Sequence, residues 1–446
     1  MFGYSMVQTV RMNAHKLDRP LRDKVLNMYK PFKMTPCFLH KMFEGFLKKT
    51  KKLPVIIEFE KENYQIGCHE VHQVLDSSSR CKVKKEFSTV PCCSAVVTPA
   101  GLDEILNNCK SVKKIYLNRE VKALLDTAVG SANARSIVRN NTTLTGKNVT
   151  VAVIDTGVYP HLDLSGRIID FVDLVNQRQE IYDDNGHGTH CAGDIAGNGA
   201  ASSGRYVGPA PEANIVGVKV LDKMGSGSLD TVMQGVEWCI QQNESNPNYK
   251  IDIISMSLGS TAQRMAGEDS DPMVQMVEEA WARGIVVCVA AGNEGPEPET
   301  IASPGISNKV ITVGAYDDRE TEARSDDDVA SFSSRGPTVY GVAKPDLLAP
   351  GVNIVSLRSP DSFIDKLQKS SRVDTEYFSM SGTSMATPIC AGIVALMLEY
   401  NPNYSPDDIK TLLKQGVVLP PSLQELDPNV YGAGFINADN SIPVRP

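Results

Sequence analysis

From residue 148 onward the chain alternates short, almost unbroken apolar runs with helix-like segments, and this alternation restricts the fold more than any other feature. Val149, Val151, Val153 and Ile154 make one run, which ends at Asp155. Residues 215–221, 251–257, 285–291 and 310–315 make four more. The segments 187–196, 229–242, 272–283 and 385–399 space their apolar residues as helices do. Strands that are apolar on both sides must be covered on both faces. The expected fold class is therefore α/β, a parallel sheet with helices on both faces. In such sheets ligands bind at the carboxyl ends of the strands.

The texture before residue 122 is different. Residues 54–59, 95–97 and 112–117 read as strands, and 68–75 and 102–109 as short helices. They predict a small α+β domain over 53–121. Residues 1–50 read as an N-terminal extension of two short amphipathic helices around the break at Lys30-Pro31, with no legible role. The tract 136–147, rich in Asn and Thr, has linker chemistry. The remainder, 122–446, would be the main domain.

At 446 residues, 41% hydrophobic and 22% charged, the chain is an ordinary globular one. No run of 18 apolar residues exists, so no membrane span is expected. The first 30 residues carry Arg11, Lys16, Asp18 and Arg19 and have no apolar core of a signal peptide. The ten cysteines are irregularly spaced. Without an export signal they read as reduced thiols, and the expected location is cytoplasmic. Cys68, His69 and His72 lie close together, but no partner cluster stands at zinc spacing. Residues 1–121 hold 21 Lys and Arg against 12 Asp and Glu, a net of +9; residues 122–446 hold 24 against 41, a net of −17. A basic N-terminal arm could serve nucleic acid, but no DNA- or RNA-binding motif is present. The expectation is no nucleic-acid partner and a basic N-terminal module docked on an acidic body.

Three motifs carry chemistry. Val153-Ile154-Asp155-Thr156-Gly157 puts an acid at the end of an apolar strand. Asn185-Gly186-His187-Gly188-Thr189-His190-Cys191 puts a histidine at the start of a small-residue helix. Ser381-Gly382-Thr383-Ser384-Met385-Ala386-Thr387-Pro388 puts a serine at the start of an apolar helix. Singly, each has a plain explanation as a turn acid, a loop or a helix cap. Together, on this alternating background, capping does not account for them. His187 and His190, beside Asp183 and Asp184, also suggest a metal hydrolase. Their i, i+3 spacing and the lack of an intervening Glu depart from the metalloprotease helix, so metal catalysis is not expected.

With these motifs the chain resembles the subtilisin-like serine proteases, over about residues 130–440. Gly208-Pro209-Ala210-Pro211, Ser255-Met256-Ser257-Leu258-Gly259, Ala290-Ala291-Gly292-Asn293, Phe332-Ser333-Ser334-Arg335-Gly336-Pro337 and 345–351 match in register. The long N-terminal region looks like that of the intracellular alkaline-protease branch from bacilli. The resemblance implies a subtilisin-like fold preceded by a propeptide-like α+β domain, and a serine endopeptidase acting on proteins or peptides. It implies Asp155, His187 and Ser384 as the catalytic residues, in that order. A serine hydroxyl is a weak nucleophile and needs a base; imidazole suits, and a carboxylate stabilises the imidazolium that forms.

The resemblance further implies Asn293 as an oxyanion donor beside the Ser384 N–H. Ser257, Leu258 and Gly259 would be an edge to which a substrate backbone adds as a strand, and Ala290, Ala291 and Gly292 would wall the first specificity pocket. Small residues there leave room for a bulky side chain before the scissile bond. Glu294 reads as a solvated turn acid, or as a rim acid favouring a basic residue there. The propeptide-like domain would act as an intramolecular inhibitor, released by self-cleavage between about Arg119 and Ala128. No cofactor is required for such chemistry. Calcium is common in the family; Asp163 matches one family ligand, although 197–206 does not preserve the usual calcium loop. Ile389 and Cys390 stand where the family commonly has a histidine after the proline. Cys191, one helical turn after His187, would place a thiol under the site. The connection 356–377 is longer than usual and polar, and reads as a surface loop near Ser384.

Overall fold

The protein, a computed structural model, is described over residues 5–29, 37–76, 80–87, 91–117, 125–264, 271–419 and 426–443. It divides into two units, residues 1–121 and 122–446. The first begins with helices α1 (Ser5–Met12), α2 (Arg19–Tyr29) and α3 (Cys37–Thr50). Strand β1 (Leu53–Phe59), helix α4 (Tyr64–Asp76), strands β2 (Lys82–Glu86) and β3 (Cys92–Val97), helix α5 (Pro99–Asn108) and strand β4 (Val112–Leu117) follow. The sheet order is β2-β3-β1-β4, with antiparallel pairing throughout. In β1 burial alternates strictly along the strand, as expected of a sheet with one face on a core.

That core includes part of the first 50 residues. Met6, Val7, Val10, Leu21, Val25 and Tyr29 are buried in one cluster with Val55, Ile57, Ile105 and Ile115. Residues 16–18 also run along β4, with Ile115 N–H donating to Lys16 O and Asp18 N–H to Ile115 O. Residues 5–29 are therefore structurally continuous with the α+β unit. The break expected at Lys30-Pro31 lies outside the described residues. On α4 the two histidines face other partners: His69 pairs with Gln73 at 2.9 Å and His72 with Glu86 at 2.8 Å.

The second unit opens with helix α6 (Leu125–Ser131) and the hairpin β5 (Val138–Arg139) and β6 (Thr142–Thr143). The tract read as linker is thus built into the body. Arg139 donates from Nε to Ile442 O and from Nη2 to Asp439, and Ile137 and Leu144 are buried. Then come β7 (Thr150–Asp155), β8 (Ile168–Asp173), α7 (His187–Ala196), β9 (Asn214–Lys219), α8 (Leu229–Ser245), β10 (Ile253–Met256), α9 (Pro272–Ala282) and β11 (Val286–Ala290). β12 (Ile311–Asp317), β13 (Asp328–Val329), β14 (Leu347–Pro350) and β15 (Ile354–Leu357) follow. Next come α10 (Phe363–Leu367), β16 (Arg372–Val373), β17 (Tyr377–Met380), α11 (Thr383–Tyr400) and α12 (Pro406–Gly416), and two single-turn helices follow at Pro428–Tyr431 and Ala438–Ser441.

The main sheet has eight strands in the order β13-β12-β11-β10-β7-β9-β8, with β14 also paired to β12. All pairings are parallel except β12 with β13. Every residue of β7, β10 and β11 is buried, as the apolar runs require. Helix α11 packs on α7 and on β10, β11, β12 and β14, while α8 and α9 pack on each other. By length and composition α11 could cross a bilayer, but 83% of it is buried inside the protein. It is the central core helix, with 15 buried residues from Thr383 to Leu398.

Candidate active site

Asp155 is the last residue of β7, at the carboxyl edge of the sheet, and is fully buried. His187 is the first residue of α7. Its Nδ1 lies 2.8 Å from Asp155 Oδ1 and 2.9 Å from Oδ2. The strand end and the helix start meet closely: Gly188 N–H donates to Thr156 Oγ1 at 2.9 Å, and a Cβ on Gly188 would run into Gly157 O. Thr156 N–H donates to Asp155 Oδ1 at 2.7 Å, which orients the carboxylate.

Asp183 ties this junction together. Its carboxylate accepts from Thr156 Oγ1, from the N–H groups of Asn185, Gly186 and Thr189, and from Thr189 Oγ1, at 2.6–3.1 Å. Burial raises its pKa, and those hydrogen bonds pull against the rise. The sequence shows Asp183 only as an acid beside a histidine motif. Its positioning role depends on five donors that the folded loop gathers.

Burial disfavours the charged form of His187, and the Asp155 carboxylate works against it through its charge and its hydrogen bond. The imidazole pKa stands well above its ordinary value of 6.5. The Cys191 thiol supplies no charge at neutral pH, because burial pushes its own pKa up to about 11. The expected thiol is in place: Cys191 Sγ lies 3.8 Å from His187 Nδ1 and donates to Ser384 O at 3.4 Å. One sulfur atom thus touches both the histidine and the serine segment.

Ser384 is the second residue of α11 and half-buried. It is held by Ser257: Ser384 Oγ donates to Ser257 O at 3.2 Å, and Ser257 Oγ donates to Ser384 O at 2.7 Å. Asn293 Oδ1 accepts from Thr383 N–H at 2.9 Å and Thr383 Oγ1 at 3.0 Å. Those two bonds fix which way the amide faces and leave Nδ2 as the outward donor. Nδ2 and the Ser384 N–H both face Gly382, 3.5 and 3.6 Å from where a Cβ on that glycine would sit. A helix start leaves its first N–H groups without intrahelical partners, so Ser384 N–H suits a developing anion.

A cleft of about 750 Å³ adjoins Ser384 and is lined by Ala290, Gly292 and Asn293, with Ser257, Leu258 and Gly259 along its edge. Ala291 does not line it. Its side chain is buried in an apolar cluster with Val274, Ile301 and Ile306. Successive residues leaving a strand point to opposite sides, so only 290 and 292 share the cleft face. Glu294 is exposed at the rim.

Asp163 stands apart from these groups and does not fit a calcium ligand. Its buried carboxylate accepts from Gly199 N–H, Ala201 N–H and Tyr377 Oη at 2.8–3.1 Å, so the oxygens a cation would need are already taken by donors. His190 is not a metal ligand here either. Its Nδ1 pairs with Asp194 at 3.0 Å, and Nε2 faces Ile354 O and Phe378 O, fastening α7 to β15 and β17.

Residues 146–434 match the model of the subtilase family. Serine protease AprX of Bacillus subtilis (strain 168) is 64% identical over 443 residues, which is 99% of this chain and 100% of that protein. The thermostable alkaline protease of Halalkalibacterium halodurans is 33% identical over 388 residues, covering 86% of this chain and 93% of the relative. Among solved structures, a cold adapted subtilisin-like serine proteinase aligns with a TM-score of 0.52 and 30% identity, over 70% of this chain and 98% of that one. Subtilases need no cofactor for their chemistry. The chain belongs to the subtilase family and is a subtilisin-type serine endopeptidase.

Proposed function

We propose that Ser384 is the nucleophile, His187 the general base and acid, and Asp155 the carboxylate that orients and stabilises the imidazolium. The observation that carries this reading is the 2.8 Å Asp155–His187 pair, bridged through one cysteine sulfur to the Ser384 segment. In this mechanism the Ser384 hydroxyl leaves Ser257 O, to which it donates at 3.2 Å, for His187 Nε2. His187 accepts its proton as Oγ attacks the substrate carbonyl, forming the C–O bond of a tetrahedral intermediate. The carbonyl oxygen becomes the anion, stabilised by Ser384 N–H and Asn293 Nδ2. His187 then gives the proton to the leaving amine, the C–N bond breaks, and an acyl-enzyme remains. Water repeats the sequence and frees the serine. The roomy cleft beside Ala290 and Gly292 supports broad specificity with a bulky residue before the scissile bond. In this reading the enzyme works in the cytosol.

The N-terminal unit is, in the same proposal, an intramolecular inhibitor that the enzyme removes by its own cleavage. The opposite charges of the two units, +9 and −17, support it. Most of the span between Arg119 and Ala128 lies outside the described residues. Within the described part, residues 125–131 form α6 and Ala128 is buried, so the cut would fall before residue 125.

The test is an intact mass of the purified protein, with and without a fluorophosphonate probe. The expected result is one label, mapped to Ser384 and absent in His187→Ala, on a chain that has lost the unit 1–121. A chain that stays unlabelled after proteolytic release of that unit would overturn the assignment.

Cys191 gives a second check. Its Sγ, His187 Nδ1 and an Asp155 oxygen lie within 4.8 Å of one another, a donor set that suits a soft cation. Mercuric ion bound there would take Nδ1 away from Asp155. Titration with Hg²⁺ should abolish peptide hydrolysis near one equivalent, and Cys191→Ala should remain active and become resistant. Equal sensitivity in Cys191→Ala would assign the inhibition to another thiol.

A further inference from the structure

The long connection before Ser384 is not simply a polar surface loop. It contains α10, and α10 is fixed to the loop that leads into His187. Phe363 N–H donates to Asp184 O at 2.8 Å, Ile364 N–H to Asn185 O at 3.0 Å, and Ser359 Oγ to Asp183 O at 2.7 Å. Beneath the helix, buried Asp365 is held by two guanidinium groups, Arg358 and Arg372, at 2.5–3.0 Å. Burial would raise its pKa, but the two arginines hold it down at about 2, so the clamp is ionised throughout the neutral and alkaline range. Such a mount makes α10 a fixed wall.

That wall faces a cleft. Phe363, Ile364 and Leu367 line a cavity of about 600 Å³ together with His187. Met224 and Leu229 line it as well. Leu367 is 68% exposed, Met224 60% and Leu229 49%. Large apolar side chains left in water around one groove mark a surface made to be covered. The segment 257–260 borders this cavity and also the one beside Ala290 and Gly292. A peptide extended along that segment would drop alternate side chains to opposite sides. The residue before the scissile bond enters the Ala290–Gly292 cleft. The residue before that one points to the His187 side, against α10.

We propose that α10 is a specificity element, whose Phe363 and Leu367 with His187 form a subsite for a bulky apolar side chain two residues upstream of the scissile bond. This rests on the assignment of Ser384 as nucleophile. The occupant is substrate, because the groove is continuous with His187 and shares its edge with the Ser384 cleft.

The test compares two peptides that differ only at that position, Leu against Gly, with the residue before the scissile bond held constant. The readout is the ratio of their kcat/KM values in the mature enzyme, in Phe363→Ala and in Leu367→Ser. A general loss of folded enzyme lowers both values and leaves the ratio unchanged. Leu367 is exposed, so its replacement leaves the core intact. The wild-type ratio should be on the order of 10–100 in favour of Leu, falling several-fold in each variant. A ratio near one in the wild type, or a high ratio unchanged in both variants, overturns the subsite while the fluorophosphonate still labels Ser384. No label on the wild-type enzyme instead overturns the nucleophile assignment, and the two failures are thereby told apart.

Discussion

Asp155→Asn should lower kcat by about 10⁴ with little change in fold. The substitution keeps the shape of a fully buried side chain and its acceptor for the Thr156 N–H. It changes what His187 meets. A carboxylate accepts a hydrogen bond from Nδ1–H at 2.8 Å and leaves Nε2 free to take the serine proton. An amide can instead present its NH₂ to Nδ1, which moves the ring proton to Nε2. A protonated Nε2 cannot serve as the base. About 10⁴ in rate corresponds to about 5.4 kcal/mol of transition-state stabilisation.

The same substitution should move the pH profile, and its sign follows from what surrounds His187. Activity needs the neutral imidazole, so it rises with pH through the His187 pKa. In the wild type the Asp155 carboxylate works against burial and the pKa stands well above 6.5, so the rising limb of kcat/KM lies on the alkaline side of an ordinary histidine. Without the carboxylate, burial is left unopposed by it and favours the neutral ring. The residual activity of Asp155→Asn should therefore rise at lower pH than the wild type. Rates from pH 5 to 10 with one peptide, beside thermal unfolding of both proteins, check both points. A limb that stays in place would mean that Asp155 does not set the titration.

The parallel sheet was legible because its signals are local, whereas the proposed order Asp155, His187, Ser384 rests on the resemblance to a family. The run before Asp155 is apolar on both sides, and helix α7 begins and ends where its small-residue pattern does, at 187 and 196. Other elements gave weaker signals. β8 mixes Ile, Phe and Val with two aspartates at the sheet edge, and β2 reads Lys-Val-Lys-Lys-Glu with almost no buried residue. Both are edge strands, where pairing, not hydrophobicity, decides the structure. The hairpin 138–143 looked like a linker because its anchor, Arg139, finds partners 300 or more residues away. Ala291 was assigned to the pocket as one of three neighbours, although strand alternation already excluded it. Phe363, Ile364 and Leu367 have helical spacing inside a segment whose overall composition is polar. Their common direction towards His187 comes from two backbone hydrogen bonds that no pattern announces.

Asn293→Leu should lower kcat by about 10²–10³ and leave KM nearly unchanged, on the scale known for the matching donor in subtilisin. The reason is geometric. Asn293 spends its oxygen on Thr383, at 2.9 and 3.0 Å, and keeps Nδ2 for the cleft. A donor there strengthens as charge develops on the substrate oxygen, so its loss appears in kcat. Leucine also takes away the acceptor for the Thr383 N–H at the start of α11. A buried donor left without a partner costs about 1–3 kcal/mol, so Asn293→Leu should also unfold at a lower temperature. Asn293→Asp separates the two effects. It restores an acceptor for Thr383 but replaces the outward donor with a negative charge, which repels the oxyanion. The aspartate variant should therefore be the slower enzyme of the two and the more stable. Separate kcat and KM values with thermal midpoints for both variants decide the matter. A raised KM at unchanged kcat would make Asn293 a ground-state contact, and equal losses of stability would mean that its bond to Thr383 does not hold the start of α11.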